Sequence, residues 1–141
     1  MILYGADEDV ANWVSVNLFG VPGAFSLFKA IGHVIDGKLI AGTVYNNYKE
    51  KPDGTPHIIE MTIATVDKRW ATKAYLRAIF SYPFTDLNVG RVQILTSTKN
   101  EGINDLVSRL GFIKEGTHKN AHHEGDAFSW RMLKEECRWN G

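Results

Sequence analysis

The chain has 141 residues, with 16 basic and 16 acidic side chains and an isoelectric point near 7. That balance excludes the broad positive field of a protein that coats nucleic acid, while leaving a local basic patch open. Hydrophobic residues at 44% are enough for a core, and charged residues at 23% suit a soluble domain, so 1–141 is expected to form one domain.

Cys137 is the only cysteine, which rules out an internal disulfide and favours a reducing, cytoplasmic location. No apolar run approaches the roughly 20 residues that span a bilayer, so no membrane partner is expected. The opening MILYGADEDV lacks the basic start and long apolar stretch of a signal peptide.

Ile2 to Tyr4 reads as a short edge strand. Asp7 to Leu18 reads as a helix. Asp7 is its expected N-cap, Glu8 and Asp9 suit the positive end of the dipole, and Val10, Trp13, Val14 and Asn17 fall at helical spacing. Gly20, Pro22 and Gly23 end it. Phe25–Val34 and Lys38–Tyr48 are rich in aromatic and β-branched residues and flank Asp36-Gly37, a strong hairpin signal. After a second turn, KPDGTP, the segment His57–Val66 is nearly all apolar or Thr and reads as a strand buried on both faces.

Ala71, Ala74, Tyr75, Ala78, Ile79 and Tyr82 then form the apolar face of a helix opening near Ala71 or Thr72 and ending by Pro83. Arg91–Thr96 is a strand. Ile103, Leu106, Val107 and Leu110 stripe a short helix closed by Gly111. Phe112–Thr117 and Ala127–Leu133 are the last strands. The order (β)αβββαβαββ predicts an α+β fold with a mixed, mainly antiparallel sheet flanked by helices.

Two segments carry chemistry. Strand 57–66 leads through a turn into a helix, and Lys68, Arg69 and Lys73 cluster there. A helix N-terminus behind a tight turn offers free N–H groups to an anion; solvated charges at a helix start are the alternative. Glu60 is the only charge in IIEMTIATV. A lone carboxylate on such a strand is either paired with a neighbouring strand or kept as a base or ligand group.

His122 and His123 follow each other in the loop KNAHHEGD. Adjacent strand residues point to opposite faces, so no metal site is expected there. Trp13 and Trp70 read as core or groove aromatics, and Trp130 with Trp139 as a possible homodimer contact.

The stretch Asn100, then Arg109-Leu110-Gly111-Phe112, then Glu115-Gly116, then Asp126 and Met132 resembles the C-terminal half of the GNAT acyl-CoA N-acyltransferases. Its wording is most similar to the ribosomal-protein N-terminal acetyltransferase-like subfamily, which includes small phage-type members. The resemblance runs from Asn46 to Leu133, with Lys119 where many members have Arg. The hairpin order precedes it, and the loop GVPGAFS stands for one of two early helices. The family's Arg/Gln-x-x-Gly-x-Gly/Ala turn appears as Arg69-Trp70-Ala71-Thr72-Lys73-Ala74, with Thr72 in place of the middle Gly, free to meet a phosphate or to cap the helix.

The resemblance implies acetyl-CoA as co-substrate and an amine acceptor, a small molecule or a protein N-terminus, acetylated directly in a ternary complex. It implies that Lys68, Arg69, Trp70, Ala71, Thr72, Lys73 and Ala74 hold the pyrophosphate. Ile63, Ala64, Thr65 and Val66 would hold the acetyl and pantetheine amides. Asn100 would orient the cofactor arm, and Glu60 would bind or deprotonate the amine. Many members place a Tyr acid where this chain has Val107. Two rival readings keep the fold: a phage Mom-type DNA base modifier, using the basic group Lys68, Arg69, Lys73 and Arg77, and a non-catalytic domain that binds CoA or a partner.

Overall fold

A computed structural model describes residues 1–139. Ten main elements follow in chain order: β1 (Ile2–Leu3), α1 (Asp7–Phe19), β2 (Lys29–Ile35), β3 (Lys38–Glu50), β4 (Pro56–Thr65), α2 (Lys73–Ser81), β5 (Arg91–Ser97), α3 (Glu101–Leu110), β6 (Ile113–His122) and β7 (Gly125–Leu133). They build one seven-stranded sheet in the order β1-β2-β3-β4-β5-β7-β6. Every neighbouring pair is antiparallel except β4 with β5, which α2 joins as a parallel crossover. The α+β class and the element order are those expected from the sequence.

The sheet separates two cores. Ala41 and Tyr45 of β3, with Ile59, Met61 and Ile63 of β4, pack against Tyr75, Ile79 and Phe80 of α2 and Val107 and Leu110 of α3. Val44 of β3, two-residue alternation away, packs with Ala64 against Val10, Ala11 and Val14 of α1 on the other face. Each fully buried side chain such as Phe80 or Ile79 contributes about 1.5–3 kcal/mol through removal from water. α1 lies close on the sheet because Gly42 has no side chain. A Cβ there would sit 2.6 Å from Val14 Cγ2 and 3.1 Å from Val10 Cγ1.

Local chemistry sets the boundaries. Asp36 and Gly37 both take positive φ, 53° and 74°, which makes the tight β2–β3 hairpin. β2 begins at Lys29 and not at Phe25, since Leu27 adopts φ 50°, a left-handed conformation that interrupts an extended run. Asp7 is the first helical residue of α1 and not its cap; its carboxylate turns to the sheet, where Oδ1 accepts from Ala30 N–H at 3.0 Å. α2 begins at Lys73, with the Thr72 hydroxyl accepting from Tyr75 N–H at 3.2 Å. Beyond Ser81 the chain makes a π turn over Tyr82–Asp86, around Pro83. α3 is capped by Asn100 and closed by Gly111 at φ 106°. β6 and β7 run further than predicted, carrying the hairpin out to His122 and Gly125.

Candidate active site

β4 and β5 pair only over Ile58–Glu60 and Arg91–Gln93 and then diverge. Beyond that fork, the edge of β4 that faces β5 has no strand partner, because β3 pairs with the other edge from Glu60 to Thr65. Open backbone N–H and C=O groups therefore line a wedge between two strands of one sheet. A cavity of about 570 Å3 occupies this wedge. Its walls come from β4 (Glu60, Thr62, Ile63), β5 (Ile94 to Ser97) and α3 (Asn100, Ile103, Val107). Leu18, Phe19, Ala24 and Phe25 close one side, and the β6–β7 tip, Ala121–Glu124, closes the end.

Glu60 stands at the fork, half-buried. Asn47 donates to its Oε2 at 2.8 Å, and Gln93 donates to its Oε1 at 3.5 Å. The β3 register shifts between Asn46 and Lys49, opposite Glu60, and Asn47 takes φ 54°. This bulge aims the Asn47 amide at the carboxylate, a common use of bulges beside functional sites. Both partners are neutral, so the carboxylate is oriented but its charge is not cancelled. Of the two readings left open by the sequence, pairing with a neighbouring Lys or Arg does not occur among the described residues.

On the opposite wall Asn100 caps α3, its Oδ1 accepting from Ile103 N–H at 3.1 Å. Asn100 also lines the cavity. Asn104, not singled out in the sequence, braces the same corner: its Nδ2 donates to Ser97 O at 3.0 Å, and its Oδ1 lies 2.5 Å from the Thr96 hydroxyl. Trp130 Nε1 donates to the same Thr96 oxygen at 3.0 Å. Trp130 is thus 5% exposed and belongs to the core. Trp130, at a buried sheet position, serves its own core and is not an exposed contact, while half-buried Trp139 donates to Leu110 O.

The hairpin tip also differs from expectation. His122 ends β6 and His123 lies in the turn, where the two-residue alternation stops. The rings approach to 4.4 Å between centroids, and ligand atoms of His122, His123 and Glu124 lie within 4.8 Å of one another. The Nδ1 of His122 accepts from Glu124 N–H at 3.2 Å, so that nitrogen is already engaged. Burial, with His123 beside it, holds the His122 imidazole below the usual value of 6.5, against the opposing pull of Glu124. Phe19 packs edge-on to His123 at 5.1 Å and lies 6.1 Å from Phe25, so α1 and the tip meet over the cavity.

No protein-family profile matches the sequence, and no curated protein matches it. Solved structures do match. A ribosomal-protein-S5-alanine acetyltransferase from Vibrio fischeri superposes with a TM-score of 0.70 over 99% of this chain and 94% of that one, at 14% identity. An acetyltransferase of the GNAT family from Streptococcus pneumoniae gives 0.69, with 94% and 98% covered, also at 14%. A probable acetyltransferase gives 0.63 at 22% identity, covering 77% of this chain and 63% of that chain. The chain has the GNAT fold.

Within that GNAT fold the residues expected at the site fall into two groups. Glu60, Ile63 and Asn100 line the cavity together. Ala64, Thr65 and Val66 continue β4 outward from it, Ala64 turned into the α1 core and Val66 61% exposed. The turn Lys68–Ala74 lies beyond and does not line the cavity. There Arg69 is claimed by carboxylates: its Nη2 is 2.8 Å from Asp67 and its Nη1 3.5 Å from Asp36. That pairing pulls the Asp67 carboxyl down to about 2. Trp70 is buried, its carbonyl 2.8 Å from His33 Nδ1. Thr72 is the helix cap. Lys68 and Lys73 are exposed and make no ion pair among the described residues, and the first N–H groups of α2, at Lys73 and Ala74, have no intrahelical acceptor. Phe19, Phe25 and Asn46 also line the cavity and were not foreseen; the only sequence signal was the position of the GVPGAFS loop.

Proposed function

We propose that this protein is an N-acetyltransferase that moves an acetyl group from acetyl-CoA directly to an amine acceptor. The observation that carries the reading is the fork between β4 and β5, with a lone oriented carboxylate at its apex and an unpaired strand edge leading from it. A pantetheine arm is a chain of amides and needs such an edge for its own N–H and C=O groups. The residues present fit it: β4 beyond Glu60 supplies backbone partners, and Asn100 supplies a side-chain amide. The turn before α2 supplies Lys68, Lys73 and the N–H groups of Lys73 and Ala74 for the pyrophosphate.

In the reaction the neutral amine nitrogen attacks the thioester carbonyl carbon. The C–N bond forms, the C–S bond breaks, the sulfur departs as thiolate, and the acylated nitrogen gives up one further proton, which passes to that thiolate or to water. Ammonium must first lose a proton, and Glu60 is placed to bind that ammonium or take its proton. Backbone N–H groups of the β4 edge are placed to stabilise the charge developing on the carbonyl oxygen.

Charge at the cavity disfavours a DNA base modifier. Its lining carries Glu60 and Glu124 and no Lys or Arg, so it suits a cation and repels phosphate. A second reading, CoA binding without turnover, rests on Val107: a buried aliphatic side chain stands where many relatives carry a phenol. Thermal shift with acetyl-CoA followed by thiol release across an amine panel separates the two. A raised melting temperature with turnover is expected. A shift without turnover on any amine supports the second reading, and no shift at millimolar acetyl-CoA overturns both.

A further inference from the structure

We propose that the acceptor is a primary monoamine carried on an apolar or aromatic body, in preference to a polyamine or a peptide N-terminus. This rests on the acetyl-transfer reading and assigns the substrate class of the same cavity. The argument begins with what the cavity offers beyond the fork. The acceptor end, from Glu60 to the hairpin tip, has one half-buried, oriented carboxylate at its depth. Its α1 side is Leu18, Phe19, Ala24 and Phe25, and none of these side chains can donate or accept a hydrogen bond.

The roof over this wall is aromatic. Phe19 lies between Phe25 at 6.1 Å and His123 at 5.1 Å, and His123 lies 4.4 Å from His122. Spacings of this kind leave ring faces and edges available to a further ring or alkyl chain. Burial, with His123 beside it, makes the His122 imidazole harder to protonate than a free one, against the opposing pull of Glu124.

Each rival acceptor fails on one feature of this wall. A polyamine would place a second ammonium along the apolar side, where it would lose water and gain no carboxylate. Glu124 is the only other acid in the lining; its side chain is 51% exposed at the rim, and a charge pair formed there is screened. A peptide N-terminus would bring amide N–H and C=O groups within one residue of the amine. Where they meet the α1 side, those groups would be buried against side chains that cannot pair them. An alkyl or aryl body gains from the same wall by leaving water.

The test uses the full chain and four probes: 2-phenylethylamine, hexylamine, spermidine and a tripeptide with a free N-terminus. Calorimetric binding of each amine to protein saturated with CoA is measured beside kcat/KM from thiol release. The two monoamines are expected to bind at least about tenfold more tightly than spermidine or the tripeptide. Phe19→Ala and Phe25→Ala are expected to weaken the monoamines about three- to tenfold, the value of one lost aromatic contact. Phe25→Leu, which keeps apolar volume, is expected to restore hexylamine more than 2-phenylethylamine.

Tighter binding of spermidine or the tripeptide, or no binding of any of the four, overturns the proposal. So do Phe19→Ala and Phe25→Ala variants that fold, by their melting curves, and bind the two monoamines as tightly as the wild type. Because calorimetry reads the acceptor end without turnover, a lack of thiol release with the monoamine ranking intact counts against acetyl transfer alone.

Discussion

Replacing Glu60 by Gln isolates the charge at the fork, because Gln keeps the shape and its carbonyl oxygen can still accept from Asn47. An ammonium seated against the carboxylate, about 4 Å between charges, would interact by about 4 kcal/mol at an effective dielectric near 20. Desolvation of both groups reduces the net value to that of a hydrogen bond to a charged group, about 1.5–3 kcal/mol. The amine KM is therefore expected to rise about tenfold to about 150-fold at saturating acetyl-CoA. If Glu60 also takes the proton, kcat falls by a further factor of about one hundred to ten thousand. Steady-state thiol release with acetyl-CoA held saturating gives both parameters. An amine KM within twofold of the wild type would refute the ammonium site, and an unchanged kcat would remove Glu60 as the base while leaving it as the anchor.

Three further outcomes test the framework that holds the site. Gly42→Ala drives a Cβ to within 2.6 Å of Val14 Cγ2, so α1 must lift, at a cost of about 1–3 kcal/mol in urea unfolding; Gly90→Ala, whose Cβ meets nothing nearer than His57 O at 4.0 Å, serves as the matched control. Thr96→Val leaves the Trp130 N–H and the Asn104 Oδ1 without their shared partner, and about 2–4 kcal/mol of stability is expected to go, read from the same unfolding curves. Burial lowers the His122 imidazole's affinity for a proton in the fold, so its contribution to stability is complete above its ordinary value of 6.5 and is lost as pH falls below it. Over that same acid range a cation forms beside His123, with Glu60 and Glu124 the opposing charges of the lining. Amine KM is expected to rise as it forms, and His122→Gln to flatten that limb.

The fold was legible in the sequence where local chemistry decides. The hairpin at Asp36-Gly37 and the close at Gly111 each follow from a left-handed backbone conformation that few residues adopt. Glu60 was legible as an anomaly, one charge in an apolar strand, although its partners were not: Asn47 and Gln93 reach it only through a bulge and a parallel pairing that no local pattern encodes. The convergence of His122 and His123 was misjudged for a related reason. Strand alternation predicts opposed rings, and only the exact end of β6 decides whether alternation still applies. Phe19 and Phe25 were invisible as site residues because their role depends on where the hairpin tip lands, about one hundred residues downstream, by the register of β6 on β7.

Val107 is the residue on which the chemistry turns. It is fully buried, on the α3 wall of the cavity, and cannot donate a proton to a departing thiolate. The need for such a donor is set by the leaving group. A simple thiol has a pKa near 8.5, so at pH 7.5 the thiolate lies only about one unit from its protonated form, and full protonation is worth about 1.4 kcal/mol. That caps the benefit of an acid near tenfold, far less than the penalty for an amine that stays protonated, whose pKa near 10 leaves well under 1% of it neutral at the same pH. Under the proposed transfer, deprotonation of the amine, and not protonation of the sulfur, is therefore the step that asks most of this cavity. Its investment matches: an oriented carboxylate at the fork, and an aliphatic side chain where the acid would be.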